Sequence, residues 1–168
     1  MMLEIAIDAD EEWDSSKDWE QLVRRATESA IAQSAFPDLA RSLRPVEVSV
    51  RLTSDDNVRA LNAHWRGMDK PTNVLSFPLA EPYELERGDE EGPELMLGDI
   101  ILAHGVCERE AAERRVAFDD HASHLIVHGT LHLLGYDHSD EGAAEDMESR
   151  EVQALKELGI DDPYLVAD

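Results

Sequence analysis

Apolar and polar residues alternate from Leu3 to Ala9, with Leu3, Ile5 and Ile7 set against Glu4, Ala6 and Asp8. That two-residue period is the mark of a half-buried strand. Val46 to Leu52 repeats it and predicts a second strand. Between the two, Trp19, Leu22, Val23, Ala26 and Ala30 recur at helical spacing, with Ser15-Ser16 as the expected cap and Phe36-Pro37 as the expected end. Ser54-Asp55-Asp56 predicts the cap of a further helix, with Val58, Leu61 and Trp65 as its apolar stripe and Gly67 as its stop. Asn73 to Phe77 reads as a short strand ended by Pro78. Residues 81–94 read as a loop, because seven acids are interspersed there with prolines and glycines. Leu95 to Ala103 predicts another strand, interrupted at Gly98-Asp99. Glu108 to Val116 predicts a charged helix. Asp119-Asp120 starts a helix that continues through Leu134 to Gly135. Ser139 caps a last one running to Leu158, with Gly159 as its stop.

Interleaved strands and helices predict an α/β (α+β) fold. The expectation is a small mixed sheet of about four strands with helices packed on it and the histidine-bearing helix in the core. The length of 168 residues suits one domain over 1–168, with the acidic stretch 81–94 as a loop insert. Cys107 is the only cysteine, so no disulfide framework is expected and the thiol reads as a small buried hydrophobe. No apolar run approaches the length of a membrane span, and the N-terminus lacks the pattern of a secretion signal. These features predict a cytoplasmic protein with no membrane partner. Trp13 and Trp19 read as core residues.

Charge changes the picture. Fifteen Lys and Arg face 38 Asp and Glu, for a net charge of -23. A protein that grips nucleic acid by neutralising phosphates needs a basic surface. The charge is uneven, however. Residues 41–70 carry six bases (Arg41, Arg44, Arg51, Arg59, Arg66, Lys70) against four acids. The expectation is a small positive groove on a repelling body.

Candidate chemistry sits near the C-terminus. His121, His124, His128, His132 and His138 cluster in one stretch. His128 and His132 are i and i+4, so both imidazoles leave one face of a helix. Gly135 can end that helix in a left-handed turn, and His138 can then fold back. Three neutral imidazoles leave a tetrahedral zinc one open position, the composition of a catalytic site. Packing histidines and a structural metal site, with Asp137 as fourth ligand, are the competing readings. The spacing H-x-x-x-H-x-x-G-x-x-H is that of the metzincin proteases. Those carry Glu after the first His as general base, whereas this chain has Gly129, which has no side chain to move a proton.

His128 to His138, HGTLHLLGYDH, resembles the signature of the bacterial YbeY-type endoribonucleases, the rRNA maturation factors. Arg66 to Pro78, RGMDKPTNVLSFP, is similar to that family's R-G-x-D-x-P-T-[DN]-V-L-S-F-P segment, and Leu97-Gly98-Asp99-Ile100 to its L-G-D-I. The run from Ser139 to Tyr164 has the family's acidic helix followed by D-P-Y. The resemblance covers residues 46–164 in matching order. It implies a single-strand-specific, zinc-dependent endoribonuclease, acting in small-subunit rRNA 3′ end maturation and ribosome quality control. It implies one Zn2+ per chain on His128, His132 and His138, with Arg66 as an essential catalytic residue. Some members carry a second basic residue two positions after that arginine, where this chain has Met68. Arg59, Lys70, Asn73 and Ser76 are expected to bind substrate. His124, Asp137 and Asp99 are expected to stand behind or beside the ligands. The partners implied are single-stranded rRNA and the ribosome or a small-subunit ribosomal protein, with no DNA expected. Alternatives are a ribosome-assembly factor with a structural zinc that binds without cutting, and a zinc metalloprotease.

Overall fold

Each expected strand is present in the computed structural model, which describes residues 3–87 and 90–165. They are β1 (Leu3–Ala9), β2 (Val46–Thr53), β3 (Val74–Pro78) and β4 (Leu95–Ala103). They form one mixed sheet in the order β1-β2-β4-β3. β1, β2 and β4 run parallel, and β3 lies antiparallel to β4. Six helices accompany the sheet among the described residues: α1 (Trp19–Ala32), α2 (Asp55–Arg66), α3 (Pro82–Glu86), α4 (His104–Arg114), α5 (Phe118–Leu133) and α6 (Glu141–Glu157).

The two sheet faces have separate cores. On one face, Val46, Val48, Leu97, Ile100 and Leu102 meet apolar residues of α1, α5 and α6. On the other, Leu75, Ile101 and Ala103 meet Val58 of α2. α5 is the central helix: it touches α1, α4, α6, β3 and β4, and most of its residues are buried. Trp13 and Trp19 are buried, with their rings edge to face 5.1 Å apart. Cys107 is also buried, and desolvation pushes its thiol pKa up. No helix of the described residues is long and apolar enough to cross a membrane.

Several local expectations are corrected. Asp18, not Ser15-Ser16, caps α1 by accepting from the Gln21 amide, while Ser16 is turned back onto Asp14. Asp140, not Ser139, caps α6 through the Ala143 amide. The acidic stretch is not wholly loop. Pro82 starts α3, Glu81 and Glu84 form its reciprocal cap, and Leu85 anchors it in the core. β4 is not interrupted at Gly98-Asp99. It bulges there against β2, pairing Glu47 with Met96 and Val48 with Gly98. Gly98 has φ +144°, and a Cβ on it would lie 2.3 Å from the Phe77 carbonyl oxygen and 2.8 Å from Leu133 Cδ2. Only glycine lets β3, β4 and the end of α5 close together at this point.

α2 follows its expected bounds, with Ser54 capping Asn57 and Gly67 left-handed at φ 68°. Its stripe does not. Val58 is buried, but Trp65 faces water and Asn62 takes the buried place. Asn62 donates to the Lys70 carbonyl at 2.8 Å, and its own carbonyl accepts from the Met68 amide. That polar clamp folds the chain after Gly67 back onto α2 and fixes the position of Arg66.

Candidate metal centre and cleft

The C-terminal half of α5 presents His128 and His132 one turn apart. The helix stops after Leu133, and Gly135 turns the chain at φ 96°. Amides of Gly135 and Tyr136 close the turn onto the carbonyls of His132 and Leu131. His138 returns to the first two, so that one ligand nitrogen from each of the three lies within 4.8 Å of the others.

The hydrogen bonds behind the rings settle which nitrogens face inward. His132 donates Nδ1–H to the Tyr136 carbonyl at 2.8 Å. His128 Nδ1 faces a carboxylate oxygen of Glu151. Both Nδ1 atoms therefore carry protons toward acceptors, and both Nε2 lone pairs point into the centre. Those two Nε2 atoms lie 2.9 Å apart. Two lone pairs facing each other favour a cation between them, so the donor set fits a metal. Burial, with His128 beside it, pulls the His132 pKa down to about 4. That ring is accordingly neutral and ready to ligate at neutral pH.

Glu151 of α6 is fully buried and is the residue that sequence reasoning missed. It also meets His124 Nε2 at 3.3 Å and accepts from the Tyr164 hydroxyl. Burial pushes its pKa up, but hydrogen bonds from His124 and His128 outweigh burial and hold it at about 2. It is one of six acids on α6. The available signal was its phase: Met147, Glu151, Ala154 and Leu155 form the helix's buried stripe, and an acid in an apolar stripe has a partner inside.

His128 and His132 line a cleft of about 520 Å³ together with Arg66, Asn73, Ser76 and Asp137. Arg66 Nη2 lies 3.4 Å from the Ser76 carbonyl, and its guanidinium carbon is 6.0 Å from the centre of the Phe77 ring. Asn73 lines the cleft but is committed, donating to Glu110 and accepting from the Val74 amide. Glu110 also holds the buried His121 at 2.9 Å. Asp137 is exposed and accepts from the Ser139 amide, and Ser139 holds its carboxyl below the usual range. His124 stands one turn behind His128 against Glu151, away from the cleft lining.

Three further expected site residues stand apart from the cleft. Arg59 is exposed and forks onto Asp69 at 2.8 and 3.2 Å. Lys70 is exposed outside the cleft lining, and its carbonyl serves Asn62. Asp99 lies on the other face of the sheet: Ile100 packs on α5, so its neighbour points away, alongside Phe77 and Ile101. The L-G-D-I segment contributes the Gly98 bulge and not an acid at the cleft. Of the six bases between 41 and 70, Arg66 is the one that lines the cleft, so the expected basic groove is not assembled there. Gly129 also gains a packing reason. A Cβ there would lie 3.0 Å from Ile100 Cγ2 and 3.1 Å from Ser76 Oγ. The position faces the sheet, with no room for a glutamate.

A protein-family model described as Endoribonuclease YbeY matches residues 5–159. The chain belongs to the YbeY endoribonuclease family. The match begins well before the motifs at 46–164, so β1 and α1 are part of the YbeY pattern as well. A YbeY endoribonuclease of Rhizorhabdus wittichii is 50% identical over 168 residues, covering 99% of each chain. One of Novosphingobium aromaticivorans is 51% identical over 166 residues, covering 98% of this chain and 97% of that one. The solution structure of TM1509 from Thermotoga maritima superposes with a TM-score of 0.54 at 28% identity, covering 93% of this chain and 92% of the other.

Proposed function

We propose that the chain is a single-strand-specific, zinc-dependent endoribonuclease, working as one domain in the cytoplasm. Its substrate in this reading is small-subunit rRNA at the 3′ end, and its wider role is ribosome quality control, with the ribosome or a small-subunit ribosomal protein as partner. The observation that carries the reading is the convergence of His128, His132 and His138 within 4.8 Å, beside a cleft that also holds Arg66.

His128, His132 and His138 would hold the metal, and an all-imidazole set suits zinc. Zinc bound there would supply Lewis-acid polarisation of a phosphoryl group. Arg66 provides a planar fork that matches two phosphate oxygens at once. The Ser76 carbonyl and the Phe77 ring hold that fork at the cleft. Glu151 and the Tyr136 carbonyl fix the two helix histidines in one tautomer and one orientation. Asp137, with its lowered pKa, is a weak proton acceptor and serves mainly to hold the turn at Ser139. The net charge of -23 keeps free RNA at a distance, which makes a protein partner the means of placement.

The test joins metal analysis to cleavage of single-stranded and duplex RNA. One zinc per chain is expected, with cutting confined to single strands and lost in His132→Ala and in Arg66→Glu. Cutting that survives in both variants rules the reading out. Chelation that unfolds the protein, together with no cutting by a clean preparation, would instead mark a structural metal.

A further inference from the structure

Trp65 is the last residue of α2 before Arg66, and 64% of its surface is open to water. The other two tryptophans are buried in the aromatic cluster around Phe118. The centre of the Trp65 indole lies 4.8 Å from that of the His64 ring, at right angles to it, and 6.3 Å from that of the Phe77 ring. The Arg66 guanidinium lies 6.0 Å from the same Phe77 ring. One ring thus supports both an exposed indole and the arginine that lines the cleft.

We propose that Trp65 is a stacking platform for an unpaired base of the RNA strand whose phosphate Arg66 holds. The proposal rests on the RNA reading above and adds a subsite to it. A single strand offers a phosphate and a free base face in each nucleotide, and proteins that bind it pair basic groups with exposed aromatic rings. A duplex offers no free base face, so the platform also gives the site a reason to prefer single strands. Charge favours this occupant over a merely electrostatic contact. Arg66 is the one member of the basic stretch at the cleft, and the body repels RNA. Grip must then come from an uncharged interaction, and stacking is one that salt does not screen. An apolar side chain of a protein partner is the competing occupant.

The test uses the full-length, metal-loaded protein and a 2′-O-methyl oligoadenylate as probe. Trp65 is the exposed indole, so the probe should quench its fluorescence in wild type and leave the emission of Trp65→Phe unchanged. Trp65→Ala should bind the probe about tenfold more weakly, by the same factor at low and high salt. Trp65→Phe should recover part of that loss. In cleavage of single-stranded RNA, Trp65→Ala should raise KM about tenfold and change kcat by less than about threefold. Trp65 is exposed, so its variants should keep the wild-type melting temperature. Wild-type affinity and KM in Trp65→Ala would overturn the proposal. Failure of wild type to cut any RNA would overturn the nuclease reading instead, and the quenching result would still decide the platform.

Discussion

Glu151 and His128 lie 23 positions apart on different helices, yet the buried carboxylate of one holds Nδ1 of the other. A carboxylate behind a ligand histidine fixes its tautomer and raises its basicity. Glu151→Gln should weaken zinc binding by about 10- to 100-fold, read by competition with a chromophoric chelator. Tyr164 donates to the same carboxylate, so Tyr164→Phe should act in the same direction and less strongly. Unchanged zinc affinity in Glu151→Gln would show that the carboxylate does not act on the metal.

The same groups set an acid limit on the metal-free protein. His132 falls from an ordinary 6.5 to about 4 on folding, and Glu151 from 4.5 to about 2. In both cases the unfolded chain binds more protons than the folded one as pH falls. The histidine's contribution is full above pH 6.5 and is lost on the way down to about 4. The carboxylate's is lost between 4.5 and about 2. The melting temperature of chelated protein should therefore drop steadily from pH 7 toward pH 4. A flat profile over that interval would contradict the assignment of His132 as a buried neutral ring.

Two glycines should differ in cost. Gly98→Ala places a methyl 2.3 Å from a backbone oxygen at φ +144°, and should destabilise by about 2–4 kcal/mol in urea unfolding. Gly129→Ala meets side-chain atoms at 3.0 and 3.1 Å, and should cost nearer 1 kcal/mol, about the scale of mild overpacking. Equal losses would mean that the bulge at Gly98 relaxes freely.

The arginines separate by partner. Arg59 is committed to Asp69 on the surface, where solvent and salt screen such pairs. Arg59→Ala should leave cleavage of single-stranded RNA within about twofold of wild type, as for a surface pair remote from the site. Arg66→Lys should lose about a hundredfold or more in kcat/KM, because an ammonium cannot reproduce the planar fork. A large loss in Arg59→Ala would return that residue to the substrate path.

The strands were legible because alternation in β1 and β2 and short apolar runs in β3 and β4 are local signals, and so were the three histidines, which fall within residues 128–138. What the chain could not announce depended on tertiary choices. Ser15-Ser16 and Ser139 are adequate caps in isolation, but the buried face of α1 begins with Trp19, directly after Asp18, and a free amide in the first turn of α6 is met by Asp140. Asp99 looked close to the site because its motif was, but the register of β4 decides which face it takes. Trp65 fitted an apolar stripe by spacing, and Asn62 displaced it through a bond to a loop carbonyl that only the folded turn supplies. Glu151 needed α6 docked on α5 before its partner existed.

β3 is an edge strand of the sheet. Open edges recruit other strands unless something blunts them. Here the strand is five residues long, ends in a proline, and has a guanidinium set against its Ser76 carbonyl. Arg66 therefore also covers part of this open edge. Its loss should show in light scattering of concentrated protein, not only in a nuclease assay.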